Sequence, residues 1–587
     1  MMPNPLVRFA VGAAILAALG VVGVHAEPPT APKRPNVLLV LGDDISFGDQ
    51  GVTGSIVPTR NLERLAKRGI LLSNFHASPV CSVSRCQVLT GNNPIEVGLG
   101  AFDYAVYPPS RGKPGYEAFL TRTTVTVAEL LRDAGYHTCM ASKWHLGGTR
   151  HGGQGPHDWG FDRSYCILTG GASHWNSNVF LPDPHDPAIG AAFKEGRNPG
   201  IPQEPYYEDG KPVERPLGVY SDDLYTSKMI EYLEQGRKAG KPFFAYLCFT
   251  TAHVPLQAPD FLIDKYVEHF RTLGYEELKK FRFEAQKRIG LLPAGAAYPD
   301  TSANPLIRPW ADLTVEQKDR EARMMATYAA MIESQDFFLG MLLNYLRESG
   351  QLADTLVVYL PDNGPEGMEM EGELSNPLIV KWVADNFSLD PADIGQGKAF
   401  GFLGSSWANA STGGLQWWKW FIGEGGIRVP AIVVPPQGKP FTRAGATSRE
   451  FVSIKDVPAT ILDYCGVTHP ATAYRGRTLV PPSGVSLRGF LAGERDRPRT
   501  EDEWVAFELF GNAYVIAGDH KAMKVRTGMY GDGQWHLFDI KADPGETTPL
   551  DAKDPERLQK LVAVYEQYAK DKGIVPVADD WNPFKAP

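Results

Sequence analysis

The sequence predicts an α/β fold, a mostly parallel sheet sandwiched by helices, followed by a smaller C-terminal α+β domain made of an antiparallel sheet plus a helix. Three observations carry this prediction. Four short apolar runs, residues 36–41, 136–140, 242–249 and 356–360, each end abruptly in polar, ionisable residues. Such unbroken runs are what strands buried on both faces of a parallel sheet require. Helical patterns at 62–68, 126–134, 222–235 and 316–349 fall between the runs, and strand alternating with helix is the grammar of parallel α/β sheets. Past Gly466 the texture changes to short strand-like pieces and one well-marked helix.

Taken in order, Arg8 precedes an apolar stretch, 9–24, that closes on Val24-His25-Ala26. This reads as a secretory signal, residues 1–26, cleaved after Ala26. The stretch is short for a membrane span, with an uncleaved anchor as the alternative. A Pro-rich linker, 28–35, leads to the first strand, which stops at Gly42-Asp43-Asp44. After Pro79 a helix opens at Cys81, where the free N–H groups and positive dipole end of a first turn favour an anion. Arg85 lies one turn on and is expected to fold back beside that cysteine. Cys81 and Cys86 point to different faces of the helix, which speaks against a local disulfide or a metal site with His76.

The second strand leads into Ser142-Lys143-Trp144-His145, the third into Thr250-Thr251-Ala252-His253, and the fourth into Pro361-Asp362-Asn363-Gly364. In such folds the carboxyl ends of the strands form the ligand crevice. Segments 182–217 and 292–309, rich in Pro and Gly, are expected as loops bordering it. We divide the mature chain into a catalytic domain, 27–496, and a C-terminal domain, 497–587. In the latter, strands are expected at 504–510, 513–517 and 535–540. Its helix has Asp554 as N-cap, Pro555 at the first position, Leu558, Leu561, Val562 and Tyr565 as its stripe, and Gly573 as its stop.

At 587 residues, with 43% apolar and 22% charged content, the chain has the makings of a large enzyme-sized body. Its formal charge of -9 becomes -10 once Arg8 leaves with the signal, which argues against nucleic acid as a partner. Six cysteines at irregular spacing are too few for a disulfide scaffold and suggest no zinc ribbon.

Asp43, Asp44, Asp362 and Asn363 offer three carboxylates and an amide oxygen, hard ligands that suit Ca²⁺ or Mg²⁺ better than zinc. Arg85, Lys143, His145, His253 and Lys419 supply the complementary charge. Together these are the parts needed to transfer an anionic group: cations to hold its oxygens, a nucleophile, and an acid for the leaving oxygen. Trp175, Trp407, Trp417, Trp418 and Trp420 offer either stacking surfaces for a leaving group or core packing.

With these residues in view, the sequence resembles the type I sulfatases of the alkaline-phosphatase-like superfamily, bacterial arylsulfatases most of all. The matching motifs are 36–49 (NVLLVLGDDISFGD), 81–91 (CSVSRCQVLTG), 143–147 (KWHLG), His253-Val254-Pro255, 328–336 (YAAMIESQD), Asp362-Asn363-Gly364, 407–411 (WANAS), and Lys419 with 424–430 (EGGIRVP). Residues 535–539 (WHLFD) and 543–546 (DPGE) match as well. The resemblance implies hydrolysis of aryl or simple alkyl sulfate esters. It implies that Cys81 is oxidised by a formylglycine-generating maturation enzyme, so that the nucleophile is a formylglycine hydrate. Asp43, Asp44, Asp362 and Asn363 would bind one Ca²⁺, with Mg²⁺ as the alternative. Arg85 and Lys143 would hold the diol, His145 would act as base for its collapse, and His253 and Lys419 would contact sulfate and help protonate the leaving alcohol. A periplasmic or secreted enzyme with no membrane span after signal cleavage is expected. Two positions depart from the family pattern: Val83 stands where its maturation signal has proline or alanine, and Ser142 where glycine is usual. The alternatives are a phosphonate monoester or phosphodiester hydrolase of the same superfamily, and a non-catalytic sulfate-ester-binding homologue with Cys81 unmodified.

Overall fold

Among the described residues, eleven strands form one sheet, and its centre is parallel. In chain order they are β1 (Asn36–Gly42), β2 (Ile70–His76), β3 (His137–Lys143), β4 (Arg163–Ile167), β5 (Tyr206–Glu208), β6 (Lys211–Val213), β7 (Phe243–Cys248), β8 (Thr355–Pro361), β9 (Arg428–Val434), β10 (Thr447–Ser448) and β11 (Val452–Ser453). Their spatial order is β10-β2-β9-β8-β1-β7-β3-β4-β5-β6, with β11 also on β2. β8, β1, β7, β3 and β4 run parallel, whereas β9 is antiparallel to both β8 and β2. The computed structural model describes residues 34–102, 105–148, 154–175, 187–201 and 205–584, so the expected signal, 1–26, lies outside the described residues.

Every residue of β1 and β8 is buried, because both faces of the sheet are covered. Val37, Leu39 and Leu41 face Cys86, Val88 and Leu89 of the helix Cys81–Thr90. Leu38 and Val40 face Tyr225 and Met229 of the helix Ser221–Lys238 and Leu339 and Leu342 of the helix Val315–Glu348. The period of two sends alternate side chains to opposite layers, so a strand apolar at every position is held from both sides. The long helix begins where Thr314 Oγ1 accepts the Gln317 N–H at 3.2 Å.

The segment 182–217 is not all loop: its described part contains the helix Pro187–Lys194 and the β5–β6 hairpin, which extends the sheet. Tyr206, buried against Tyr165 and Tyr225, explains why an otherwise polar stretch docks there. Trp407, Trp418 and Trp420 are packed inside the molecule rather than presented at a surface.

A small hairpin, β12 (Ala473–Tyr474) and β13 (Arg477–Thr478), precedes the C-terminal antiparallel sheet of β14 (Trp504–Leu509), β15 (Asn512–Ala517), β16 (His520–Lys524) and β17 (Trp535–Asp539). The helix Pro555–Lys572 lies on it through Leu561 and Tyr568, with Asp554 capping the Arg557 N–H at 3.1 Å and Gly573 stopping it at φ +65°. The described residues from 35 onwards form one compact unit.

A buried charge cluster joins this sheet to the main one. Lys521 of β16 donates to Glu424 Oε1 (3.0 Å), Glu546 Oε1 (2.7 Å) and the Ile422 carbonyl (2.7 Å). Glu424 also meets His76 Nε2 at 3.0 Å, and Arg428 donates to the Ile540 carbonyl at 3.0 Å. Lys521→Met leaves the buried Glu546 carboxylate without its cation and facing Glu424, which keeps as cation only Arg428 at 3.4 Å. Breaking a buried pair from one side costs about 3–5 kcal/mol, so the variant is expected to unfold at markedly lower denaturant than the parent. An unchanged midpoint would show that the cluster contributes nothing.

Candidate active site

The parallel centre of the sheet brings four strand ends to one place. Asp43 and Asp44 follow β1, Asp362 and Asn363 follow β8, Lys143 ends β3 with His145 two residues on, and His253 lies just beyond β7. Cys81 is the first residue of the helix Cys81–Thr90, with Val80 extended before it. Lys419 comes from the loop between the helices Ser405–Thr412 and Glu424–Ile427. The structure therefore assembles all ten expected residues, and all are buried, His253 being the most exposed at 9%.

Their contacts pair charge against charge. Lys143 Nζ donates to Asp43 Oδ2 at 2.7 Å, and Lys419 Nζ donates to Asp44 Oδ2 at 2.9 Å. Asn363 Nδ2 donates to Asp44 Oδ1 at 2.6 Å, and His253 Nε2 lies 3.7 Å from Asp44 Oδ2. Cys81 Sγ lies 3.3 Å from His145 Nδ1. All six cysteines are free, so neither disulfide nor thiol pair competes at this position.

Arg85 departs from expectation. Its guanidinium does not turn to Cys81; Nε and one terminal nitrogen fork onto Asp362 Oδ2 at 3.0 and 2.7 Å, and the other donates to the Lys143 carbonyl at 2.9 Å. Asp43 Oδ2 lies 3.5 Å away. A fully buried guanidinium needs carboxylate partners more than it needs a thiol, and two carboxylates lie within reach.

Residues without a role in the sequence reading complete the site. Glu366 Oε2 is 3.0 Å from Lys419 Nζ, and its Oε1 accepts the Trp420 indole N–H at 3.1 Å. The Tyr328 hydroxyl lies 2.8 Å from the Asp44 carbonyl and 2.6 Å from Asp49 Oδ2, and Arg282 holds the other oxygen of that carboxylate, Oδ1, at 2.5 Å. Gln335 donates to the Thr251 carbonyl at 2.6 Å, and that carbonyl also accepts the Asp43 N–H at 3.1 Å. Tyr328 and Gln335 lie in the recognised 328–336 motif, which showed a pattern but no partner. Glu366 had only its nearness to Asp362 and Asn363 to mark it.

Burial and Asp362 push the Asp43 carboxyl well above its usual range, against the pull of Lys143 and Arg85. Burial raises Asp44 to about 7 despite Lys419. For Cys81, burial raises the thiol, but Lys143, His145 and Lys419 outweigh it and bring the group down to about 6. The side chain at position 81 thus sits where negative charge is stabilised. Asp43 Oδ1 and Asn363 Oδ1 are buried with no hydrogen-bond partner, and donor atoms of Asp43, Cys81 and Asp362 lie within 4.8 Å of one another. Two orphaned oxygens beside carboxylates pushed towards neutrality are what a hard divalent cation would satisfy; the residues fit such an ion.

Residues 35–467 match the family model described as Sulfatase. The chain belongs to the sulfatase family. It is 35% identical over 562 residues to an uncharacterised sulfatase of Schizosaccharomyces pombe, covering 94% of this chain and 96% of that one. With the arylsulfatase of Klebsiella aerogenes the identity is 31% over 480 residues, 82% of this chain and 96% of the relative. A crystal structure of Ps i-CgsB in complex with k-i-k-neocarrahexaose aligns with TM-score 0.61 at 22% identity, covering 92% of this chain and 94% of that chain. The phosphonate monoester hydrolase of Agrobacterium radiobacter shares the fold at TM-score 0.52 and 16% identity, covering 92% and 96%. The fold is alkaline-phosphatase-like, and as a sulfatase the protein is a sulfuric ester hydrolase. No helix among the described residues is long and apolar enough to cross a membrane.

If the orphaned oxygens mark a cation site, Ca²⁺ added to metal-stripped sulfatase stabilises it by about 2.7 kcal/mol at a hundredfold excess over the dissociation constant. Thermal unfolding with and without the ion measures this. In Asp43→Asn combined with Asn363→Ala the stabilisation is expected to disappear.

Proposed function

We propose that this sulfatase hydrolyses aryl or simple alkyl sulfate monoesters to the alcohol and sulfate, with formylglycine at position 81 and one Ca²⁺ held by Asp43, Asp44, Asp362 and Asn363. The observation that supports it most is the placing of Cys81 Sγ 3.3 Å from His145 Nδ1, beside Lys143 and Lys419, at the junction of four strand ends. Cys81 Sγ stands here for the oxygens of the matured side chain. A formylglycine hydrate supplies one hydroxyl to attack sulfur and a second whose deprotonation expels sulfate, and the bound cation supplies positive charge to the sulfate oxygens.

The chain's own residues do the rest. Lys143, fixed by Asp43, places positive charge beside position 81, and Arg85 holds Asp362 and the Lys143 carbonyl in place behind it. His145 Nδ1 is within reach of the side chain at position 81 and would take the proton from a hydroxyl held there. Burial first, then Lys143 and Lys419, hold the His253 imidazole well below its ordinary range. In that neutral ring Nδ1–H donates to the Val254 carbonyl at 2.8 Å, which leaves Nε2 an acceptor towards the site. Donation to the leaving oxygen from His253 therefore requires the imidazolium, which a bound sulfate favours, while Lys419 carries its protons throughout. We assign residues 1–26 to a signal that exports the enzyme to the periplasm or beyond.

Protein purified from its host, with the peptide spanning residue 81 checked for formylglycine by mass spectrometry, is expected to release phenol from an aryl sulfate in a Ca²⁺-dependent way. Cys81→Ala should lower kcat at least about a thousandfold, the scale on which loss of a nucleophile acts. Faster turnover of an aryl phosphonate than of the matching sulfate would favour phosphonate hydrolysis instead. Sulfate-ester binding by an intact Cys81 thiol without turnover would favour a binding role. Absence of sulfate turnover despite confirmed formylglycine sinks the proposal.

A further inference from the structure

Two adjacent glycines in the loop after β4 lie against the two histidines of the site, one each. A Cβ on Gly170 would stand 2.8 Å from His145 Cε1 and 3.0 Å from its Nε2. One on Gly171 would stand 2.8 Å from His253 Nδ1 and 3.0 Å from its Cε1. Non-bonded heavy atoms settle at about 3.5–4.0 Å, so a methyl at either position displaces its ring by roughly half an ångström or more. Neither glycine has a positive φ. Backbone conformation therefore does not call for glycine at these positions; the space a side chain would need is already filled by imidazole.

The loop has little freedom to retreat. Ser173 Oγ and the His174 N–H both donate to Gln257 Oε1 at 2.9 Å, four residues beyond His253. The His174 ring bridges Ser221 Oγ at 2.9 Å and the His253 carbonyl at 3.1 Å. Burial pushes this imidazole down to about 4, so it is neutral, with Nε2–H donating to the His253 carbonyl and Nδ1 accepting from Ser221. The same loop thus touches the His253 ring and ties the His253 backbone. On its other side the His145 ring meets the edge of Phe102 at 5.4 Å.

We propose that Gly170 and Gly171 are positioning residues, the bare backbone against which His145 and His253 rest, holding His145 Nδ1 at position 81 and His253 Nε2 towards Asp44. The proposal rests on the roles given above to the two histidines. A shift of about 1 Å at a reacting group lowers rate about a hundredfold, which sets the scale of the effect.

The test is a pair of double-mutant cycles on the matured enzyme with an aryl sulfate as probe. Gly170→Ala is expected to lower kcat roughly tenfold to a hundredfold, with the unfolding midpoint and formylglycine content unchanged. In a His145→Ala background the same substitution should cost nothing further, because no ring remains to displace, whereas in His253→Ala it should keep its full effect. Gly171→Ala should show the mirror image. Single variants within twofold of the parent, or losses that persist without the matching ring, overturn the proposal. Crystal structures of the two alanine variants read the rings directly, and an undisplaced ring overturns it whatever the activity. A displaced His145 ring together with a fully active His145→Ala would instead overturn the role given to His145.

Discussion

Three carboxylates meet in the dry interior of this sulfatase, and the rest of the site is built to make that tolerable. Asp43 and Asp44 at the end of β1 and Asp362 at the end of the adjacent β8 are all fully buried. Isolated ionised carboxylates in such a place would cost far more than a fold can spare, so each requires a partner or a proton. Arg85 answers Asp362, Lys143 answers Asp43, and Lys419 answers Asp44, each within 3.0 Å. The match leaves Asp43 Oδ1 and Asn363 Oδ1 unsatisfied and Asp43 pushed upward by burial and by Asp362. Charge here is poised for a further cation and for an anionic substrate, and position 81 is where the two would meet.

The same constraint explains why the C-terminal sheet belongs to the catalytic body. Lys419 sits on a loop with no regular structure, and such a loop needs outside support to aim an ammonium. Gln416 donates to the Gly545 carbonyl at 2.7 Å, Lys521 to the Ile422 carbonyl at 2.7 Å, and the Trp420 ring stacks on Phe510 at 5.8 Å. Support arrives from residues ninety or more positions away in sequence, and Glu366 adds a second carboxylate to the ammonium from the β8 side.

What could be read from sequence divides along that line. Strands buried on both faces announce themselves as unbroken apolar runs, and polar residues at their ends announce a crevice, so β1, β3, β7 and β8 and the residues beyond them were legible. Their limits moved by one to three residues, as with 136–140 against His137–Lys143. β16 was missed because His520-Lys521-Ala522-Met523-Lys524 has no apolar pattern; its alternation places Lys521 inward, where Glu424 and Glu546 receive it. The partner of Arg85 was misjudged for a related reason. Helical spacing places Arg85 near Cys81, but the choice among partners is made by buried charge from β1 and β8, which spacing along one helix does not contain. Glu366 was invisible because nothing in the sequence sets it apart from Glu369, Glu371 and Glu373 in the same loop, and a loop carries no pattern of burial.

Backbone strain marks the same spot. Asp44, Ser142 and His145 have positive φ, at 56°, 92° and 54°, a region non-glycine residues occupy at a cost of about 1–3 kcal/mol. Ser142 is the clearest case, since the family pattern has glycine there and its side chain is fully buried. It pairs with Cys248 in the β3–β7 register, and the next residue is Lys143, whose ammonium must reach Asp43 on β1 across the intervening β7. A regular strand end would carry the chain straight on. The left-handed residues at 142 and 145 bend it, so that Lys143 and His145 both turn inward, and His145 comes to rest between Cys81 and Gly170. The strain is therefore spent on aim: the carboxylates set where positive charge is needed, and the bent end of β3 delivers it there.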